Sequence, residues 1–406
     1  MKNPRVGIED ILKARERLQG EVHNTPLIRS RTFSQMSGVE VYLKLENLQR
    51  GGSFKIRGAY NKISSLDKRT RQRGVVAASA GNHAQGVALA ANKFGIPATV
   101  VMPVHAPLSK QSAVIGYGAK MVLEGVTFED AYKKASEIAR ERGATLIETF
   151  NDETLIAGQG TIGLEIAEAL PGVETAIVPI GGGGLISGIG IALKALNPKV
   201  RVIGVQSEHV QSARQSFLQG RIIETKPEKT IADGIAIRKP GSITFPIIRE
   251  VVDDIFTVSD DEIAFSILLL MERKKIIVEG AGAVPLAALL SKKIRKPGRK
   301  AALVLTGGNI DVNLLERIIE KGLMKTGRIL RLRTEVPDTP GALGKLADLL
   351  GGIRANILEI SHDRMSVRTD IGHTGISVTL ETHGDGHNQE IIKDLKRVGY
   401  KISVAV

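Results

Sequence analysis

The sequence predicts an α/β protein with a doubly wound core of mainly parallel strands, followed by a smaller C-terminal domain with the element order βαββαβ. Up to about residue 325, short apolar runs alternate with amphipathic helical stretches, which is typical of a parallel sheet with helices on both faces. Several of these runs are apolar at consecutive positions, as expected for strands that are covered on both faces. Beyond that point the pattern of strands and helices changes, which indicates a second domain.

The core elements follow one another in regular alternation. The predicted strands are VYLKLE (41–46), GVVAAS (74–79), PATVVMP (97–103), KMVLEG (120–125), TLIETF (145–150), TAIVPI (175–180), RVIGVQ (201–206) and AALVLTGG (301–308). The predicted helices cover residues 82–94, 128–142, 161–170, 261–275 and 284–292. Because ligands of doubly wound folds bind at the carboxyl ends of the strands, we expect a functional site in the loops that follow these strands.

The C-terminal segment contains four strand patterns and two helix patterns. The strands are ILRLRTEVP, ANILEISHDR, TGISVTLETH and KISVAV, and the helices lie in DTPGALGKLADLLGG and NQEIIKDLKRVG. Residues 331–406 hold ten basic and ten acidic residues, so the net charge of +13 belongs to the larger part. We therefore predict a domain of residues 1–322 with a smaller subdomain at about 50–150, a linker at 323–329 and a second domain at 330–406.

Composition excludes several classes of protein. A hydrophobic fraction of 42% and a charged fraction of 24% describe a globular chain rather than a disordered one. Basic residues are interleaved with acidic ones, and stacking aromatics are scarce, with 9 Phe, 5 Tyr and no Trp, so we expect no nucleic-acid partner. No apolar run approaches the ~20 residues that cross a membrane. The absence of cysteine excludes disulfides and thiolate chemistry, and we expect a cytoplasmic protein.

The first chemical motif is Ser53-Phe54-Lys55-Ile56-Arg57-Gly58, which follows two glycines. A lysine between Phe and Ile is expected to lie in a low-dielectric environment, which lowers the pKa of an amine and makes it nucleophilic. Two alternatives stay open for this motif. Lys55 is a surface lysine whose stem packs on an apolar helix start, or it forms a hydrolytic pair with Ser53.

Three further motifs lie at predicted strand ends. Small residues expose backbone amides at a helix start in SAGNHAQG (79–86), which suits a carboxylate, although an ordinary N-cap turn with Ser79 or Asn82 as the cap is the alternative. GGGGLISG (181–188) suits a phosphate, and it matches neither a dinucleotide fingerprint nor a P-loop, so a phosphate monoester fits better than NAD or ATP. TGGN (306–309) places a hydroxyl at another strand end. A plain turn is the alternative for the last two.

A reactive lysine, a carboxylate site, a phosphate site and a polar strand end are what a pyridoxal phosphate enzyme acting on an amino acid requires. SFKIRGA, SAGNHAQG, GGGGL and TGGN, in this order and spacing, resemble the fold-type II pyridoxal phosphate family (tryptophan synthase β-like), and within it the threonine dehydratases, also called threonine ammonia-lyases. The resemblance covers nearly residues 5–320. The C-terminal domain, with PDTPGALGKLADLLG followed by ANILEISHDR, resembles a ferredoxin-like ACT domain.

The resemblance implies a role for each matching residue. Lys55 would bind the cofactor covalently and act in catalysis, Phe54 would pack beside the pyridine ring, and Asn82 would bond the phenolic oxygen. Thr306 would face the pyridine nitrogen, and Glu279 matches an acidic position of the family's site. The phosphate would be held by the backbone of Gly181, Gly182, Gly183, Gly184 and Leu185. The substrate would be bound by Ser79, Ala80, Gly81, Asn82 and His83, together with Glu279.

The resemblance also implies the reaction, the dehydration and deamination of L-threonine to 2-oxobutanoate and ammonia, with L-serine giving pyruvate. Serine racemase is the alternative within the family. The similar racemases carry a serine where this chain has Ala80 and acidic cation ligands in the region of residues 206–212, where this chain has Gln206 and Ser212. Both departures favour a dehydratase, and we expect no metal. A non-catalytic amino-acid sensor is the alternative from another class.

An ACT domain implies regulation and assembly. We expect an amino-acid effector, isoleucine or valine, at the first strand–helix turn of this domain, and a homodimer or homotetramer. An ACT domain that serves only to assemble subunits is the alternative. The effector-binding residues implied are Asp338, Gly341, Ala342, Leu343 and Asn356.

Overall fold

A computed structural model describes residues 6–226, 228–295, 297–364 and 370–404. The strands are β1 Leu27–Ser30, β2 Glu40–Lys44, β3 Val75–Ala78, β4 Ala98–Met102, β5 Lys120–Leu123, β6 Thr145–Leu146, β7 Thr175–Pro179, β8 Arg201–Ser207, β9 Asp254–Val258, β10 Lys300–Val304, β11 Ile329–Pro337, β12 Asn356–Asp363, β13 His373–Glu381 and β14 Ser403–Val404. The helices are α1 Ile8–Leu18, α2 Arg31–Ser37, α3 Lys55–Ser65, α4 Lys68–Gln72, α5 Asn82–Lys93, α6 Leu108–Gly116, α7 Phe128–Arg142, α8 Glu153–Ala169, α9 Gly184–Leu196, α10 Ser212–Gln219, α11 Thr244–Val251, α12 Asp260–Lys274, α13 Gly280–Leu290, α14 Val312–Lys325, α15 Ala342–Gly352 and α16 Asp385–Arg397.

The first compact unit, Met1–Asp311, contains two sheets. The larger sheet has the order β1-β2-β10-β7-β8-β9, and the smaller has the order β5-β4-β3-β6. All neighbours are parallel except β1 and β2. β3, β4, β7 and β8 are buried at nearly every position, as their consecutive apolar residues predict. The doubly wound core with two subdomains is therefore confirmed.

The second unit, Val312–Val406, contains one antiparallel sheet of order β12-β13-β11-β14. β11, α15, β12, β13, α16 and β14 follow one another in the predicted order βαββαβ, and this arrangement is ferredoxin-like. The predicted division of the chain differs from the observed one, because the predicted linker at 323–329 begins inside α14. This amphipathic helix is counted with the second unit, which therefore begins at Val312 rather than at residue 330.

Several predicted elements have different bounds, and two of these differences have a physical reason. The helix predicted at 161–170 begins at Glu153, because the glycines in its first half permit close packing rather than a loop. A Cβ atom at Gly158 would lie 2.7 Å from the Arg57 carbonyl oxygen of α3. The strand predicted at 145–150 pairs only over Thr145–Leu146, and the chain then leaves the sheet. Strands β1 and β9 were not predicted, because neither has a long apolar run.

A buried ion network holds helix α3 against its neighbours. Arg57 lies 2.8 Å from Glu46 and 2.6 Å from Glu165, and Lys44 lies 2.5 Å from Glu165. Burial opposes the charge of Arg57, but the two carboxylates raise its pKa above the usual value. Because α3 begins at Lys55, this network also positions the predicted reactive lysine.

Within the part of the chain that the structure describes, each helix is too short or too polar to cross a lipid bilayer.

Candidate active site

A cavity of about 390 Å³ lies in the first unit, at the carboxyl ends of β3, β7 and β10. This is where the doubly wound fold was expected to bind a ligand. All of the residues that the sequence assigned to catalysis, cofactor and substrate contribute to its walls: Phe54, Lys55, Ser79, Ala80, Gly81, Asn82, His83, Gly181, Gly182, Gly183, Gly184, Leu185, Glu279 and Thr306. Four motifs that are far apart in the sequence therefore meet in one place.

Lys55 begins helix α3, and the half-buried residue directs its amine into this cavity. The turn before it is docked on the end of β10, because the Phe54 amide donates to the Thr306 carbonyl oxygen at 3.2 Å. The Nζ atom donates to the Thr149 carbonyl oxygen at 3.1 Å and lies 5.2 Å from the centre of the Phe54 ring. Burial lowers the pKa of Lys55 to about 8, although Glu279 opposes this shift. A surface position for Lys55 is therefore wrong.

Asn82 and Glu279 form a direct pair in the cavity wall. Asn82 Nδ2 donates to Glu279 Oε1 at 2.7 Å and to Oε2 at 2.9 Å. Burial raises the pKa of Glu279 to about 7, while the hydrogen bond from Asn82 opposes that shift. Glu279 is therefore poised to hold or release a proton near neutral pH, which the sequence did not indicate.

The four glycines form a cradle at the start of α9. Gly183 adopts a left-handed conformation with φ of +100° and caps the helix, whose first-turn amides have no acceptor within the helix. A Cβ atom at Gly182 would lie 2.4 Å from the Phe150 ring. Glycine is therefore required for close approach, and the exposed amides together with the helix dipole suit a phosphate group. The residues present fit pyridoxal phosphate.

The loop before α5 presents backbone groups rather than a side-chain cap. The N-cap is Gly81, so the alternative in which Ser79 or Asn82 caps the helix is wrong. The Ser79 hydroxyl instead accepts from the Gly81 amide at 3.1 Å. His83 lies at the cavity wall, but its ring is only 2% exposed and Nε2 donates to the Ile147 carbonyl oxygen at 3.1 Å. Burial lowers the pKa of His83 to about 3, so the ring is neutral and only its backbone is available to a carboxylate.

Sequence reasoning missed several residues of the cavity. Lys110 and Asp233 form an ion pair at 2.9 Å, and both line the cavity. Phe150 packs on the glycine cradle, and Thr149 binds the lysine amine, yet both belong to the segment that was predicted as a strand. Asn309 lies outside this lining and was within a recognised motif, but nothing in the motif indicated what its side chain contacts. No local pattern marks the other four.

The region compared with the racemase cation site is occupied by protein contacts. Gln206 Oε1 accepts from the Arg214 amide at 2.9 Å, and the Lys293 amine lies 2.8 Å from both Glu208 and Glu262. Among the residues that the structure describes, no group of three or more side chains is arranged to hold a metal ion.

In the second unit, the predicted effector residues do not all come together. The turn at residues 338–343 lies between β11 and α15, beside Pro337. Asn356 is in register with Glu381, which is in register with Ile329 at the opposite end of β11. The expectation that Asn356 belongs to the same site is wrong, because α15 returns the chain along the sheet before β12 begins, about 25–30 Å away.

Comparisons with known proteins show the family to which the chain belongs. Residues 18–307 match the model of the family described as "Pyridoxal-phosphate dependent enzyme". The L-threonine ammonia-lyase of Thermotoga maritima is 50% identical over 399 residues, which are 98% of this chain and 99% of that protein. The solved structure of a threonine deaminase from T.th. has a TM-score of 0.71 and 41% identity, and covers 75% of this chain and 99% of its own. Maize serine racemase has a TM-score of 0.75 and 38% identity, covering 79% and 98%.

Proposed function

The chain belongs to the family of pyridoxal-phosphate-dependent enzymes, and we propose that it converts L-threonine to 2-oxobutanoate and ammonia by the residues that line this cavity. L-Serine is a second substrate and gives pyruvate. The observation that carries the assignment of residues is the buried amine of Lys55, which shares one cavity with the glycine cradle and the carboxylate loop. The full-length match to a threonine ammonia-lyase supports the choice of reaction.

The cofactor's place follows from the donors that the cavity offers. The first-turn amides of α9 would hold the phosphate, Phe54 would pack beside the ring, and Asn82 and Thr306 would bind its polar atoms; all of these residues line the cavity. Bound pyridoxal phosphate supplies an electron sink that acidifies the Cα proton of the amino acid. Thr306 is a neutral group, unlike a carboxylate, and so it does not favour a protonated ring nitrogen. This favours loss of the β-substituent over transamination.

Lys55 carries the proton transfer at the Cα atom. Its lowered pKa of about 8 leaves a useful fraction of neutral amine near neutral pH, and a neutral amine accepts a proton. The β-hydroxyl leaves as water, 2-aminobut-2-enoate is released, and its tautomer hydrolyses to 2-oxobutanoate and ammonia. The substrate carboxylate is held by the backbone of the loop at residues 79–83, at the positive end of α5.

A racemase is the second candidate, because maize serine racemase is a close structural neighbour. Racemisation needs a second acid–base group on the other side of the substrate Cα. The cavity wall has Ala80 at the position where similar racemases carry a serine, and its methyl group transfers no proton. This difference favours elimination.

The test is the release of keto acid from L-threonine and from L-serine, with chiral analysis of the remaining amino acid. We expect 2-oxobutanoate from threonine, pyruvate from serine, and no accumulation of D-serine. Lys55→Ala is the matched variant, and it should release no keto acid while remaining folded. D-Serine formed faster than pyruvate would overturn the dehydratase assignment, and keto acid release by Lys55→Ala would remove Lys55 from its role.

The second unit is proposed to be an ACT domain that binds isoleucine or valine. Gly341 has φ of +85° and caps α15, and the remaining first-turn amides of this helix would donate to a carboxylate. Asp338 is adjacent, ion-paired with Arg364 at 3.0 Å, and Ala342 and Leu343 complete the turn.

Asp338→Ala should raise the isoleucine or valine concentration needed to change the rate. Asp348→Ala, which removes an exposed acid on α15 away from this turn, is the control. Equal responses in the two variants would reject this site.

A homodimer or homotetramer in the cytoplasm is proposed. β12 is an edge strand of its sheet, and it exposes Leu358 and Ile360 by 51% and 39%. An edge strand with exposed apolar side chains favours pairing with a second copy. Light scattering at a range of concentrations measures the mass, and a monomer at every concentration would reject the assembly. Cell fractionation tests the location.

A further inference from the structure

Asn309, the last residue of the TGGN motif, links three segments through one atom. Its Nδ2 atom lies 2.7 Å from Asn82 Oδ1, 2.9 Å from the Gly51 carbonyl oxygen and 3.3 Å from Gln85 Oε1. These contacts join the end of β10 to the turn before Lys55 and to the start of α5. Asn309 therefore lies where the two subdomains meet around the cavity.

The orientation of Asn309 is determined by a backbone atom. A carboxamide NH₂ group only donates hydrogen bonds, and its oxygen only accepts them. If the amide of Asn309 were turned over, its oxygen would face the Gly51 carbonyl oxygen, which is also an acceptor. Since a backbone carbonyl cannot exchange its role, Nδ2 of Asn309 must face Gly51, and it therefore also faces Asn82.

The orientation of Asn82 follows from that of Asn309. Its Oδ1 accepts from Asn309, so its Nδ2 is directed to the other side, where it meets both oxygens of Glu279. If the Asn82 amide were reversed, its NH₂ group would face the NH₂ group of Asn309, and its oxygen would face the carboxylate oxygens of Glu279. When Glu279 is protonated it is able to donate, and then Asn309 alone opposes the reversal of Asn82.

Close packing keeps Asn309 in this place. Gly52 has φ of +72°, and a Cβ atom there would lie 2.4 Å from Asn309 Oδ1. The Gly308 amide also donates to the Gly52 carbonyl oxygen at 2.9 Å, so the turn and the motif are held together on both sides of the side chain. Position 52 therefore requires glycine, because the Asn309 side chain occupies the space that a Cβ atom would need.

We propose that Asn309 is a positioning residue that holds the Asn82 carboxamide with its NH₂ group toward Glu279 and the cofactor cavity. Asn309 does not itself line the cavity, among the residues that the structure describes, and it acts through Asn82. The inference rests on the proposed role of Asn82 in binding the cofactor. It adds a residue to which no role was assigned and gives a chemical reason for the asparagine in the motif.

The test is a double-mutant cycle on the affinity of the apoenzyme for pyridoxal phosphate, measured by absorbance titration. The four proteins are the wild type, Asn309→Ala, Asn82→Ala and the double variant. Loss of one hydrogen bond at Asn82 predicts that Asn309→Ala weakens binding about three- to tenfold. In the Asn82→Ala background the same substitution should change the affinity less than about twofold, because a residue that acts through Asn82 has nothing left to orient.

Asn61→Ala is the matched control for a general loss of stability. Asn61 is a buried asparagine on α3 whose Nδ2 donates to the Thr154 carbonyl oxygen at 2.7 Å, and it does not line the cavity. It should lower the melting temperature of the apoenzyme and leave the cofactor affinity within about twofold in both backgrounds. Equal weakening by Asn309→Ala in both backgrounds, or no weakening in either, would overturn the proposal.

Asn309→Asp keeps the shape of the side chain and serves if the alanine variant does not fold. A carboxylate cannot donate to Gly51 or to Asn82, so this variant should weaken binding at least as much as Asn309→Ala. Binding equal to that of the wild type would overturn the proposal. Failure of the wild type to bind pyridoxal phosphate would instead reject the proposed site, so the two failures are distinguishable.

Discussion

Gly182→Ala tests whether the glycine cradle is built for close approach to a phosphate group. The added methyl carbon would lie 2.4 Å from three atoms of the Phe150 ring, whereas apolar carbon atoms in contact are about 3.5–4.0 Å apart. The ring or the turn must therefore move by more than about 1 Å. The Phe150 backbone packs on the same turn, since a Cβ atom at Gly184 would lie 2.9 Å from its carbonyl oxygen.

The expected magnitude has two parts. Overpacking a buried site costs about 1–3 kcal/mol of folding free energy. A displaced turn that loses one charge-assisted hydrogen bond to the phosphate loses a further ~1.5–3 kcal/mol of binding, which weakens the affinity for pyridoxal phosphate roughly 10- to 100-fold. The assays are thermal unfolding of the apoenzyme and absorbance titration with the cofactor.

Gly344→Ala is the control, because it makes the same chemical change where there is space. Gly344 lies inside α15, and a Cβ atom there meets nothing within 4 Å. Alanine should stabilise the second unit by about 0.5–1 kcal/mol and leave cofactor affinity unchanged. The reasoning is refuted if Gly182→Ala binds pyridoxal phosphate as tightly as the wild type and unfolds at the same temperature.

Three further predictions concern buried charges. The rate at which the apoenzyme combines with pyridoxal phosphate should rise with pH, reach half of its plateau near pH 8 and level off above about pH 9, because burial lowers the pKa of Lys55 to about 8. Stopped-flow absorbance measures this rate, and a rate still rising at about pH 10 would contradict the prediction. Glu279→Gln should stabilise the apoenzyme above pH 7 by up to about 3 kcal/mol. Burial raises the pKa of Glu279 to about 7, so the wild type loses that stability as the pH rises from about 4.5 to 7. Denaturant unfolding at pH 5 and pH 8 tests this, and equal stability of the two proteins at pH 8 would count against it. Arg57→Ala should lower the free energy of unfolding at neutral pH by about 3–5 kcal/mol, because it leaves Glu46 buried without its main partner. Urea unfolding measures this change, and a loss below about 1 kcal/mol would show that the ion network is dispensable.

Much of the fold was predictable because it depends on local patterns. Strands β3, β4, β7 and β8 are buried on both faces, so their apolar runs are visible in the sequence. The fold class, the cofactor and the reaction are confirmed. The elements that were misjudged have patterns that depend on a partner. Helix α8 contains glycines that resemble a loop until α3 and α9 are packed against it, and β9 is short and has only two consecutive apolar residues.

The site was predictable as a set of residues and not as a geometry. Its motifs follow strands, and the carboxyl ends of parallel strands meet, so their convergence on one cavity follows from the fold. The roles given to these residues remain predictions. The environment of His83 was not predictable, because a ring at a helix start has the same local sequence whether it faces a ligand or the core. Asn356 was misplaced because neither strand's sequence shows that β12 begins at the end of the sheet where β11 begins, away from the turn at residues 338–343.

Residue types, their spacing and their order along the chain were sufficient to identify the family and the cofactor and to predict which lysine is reactive, because these depend on which chemical groups are present. The pKa of Lys55, the protonation of Glu279 and the direction of the Asn82 amide come from tertiary packing. Each depends on the desolvation of a group and on the one or two atoms that face it, and those atoms are brought from distant parts of the chain.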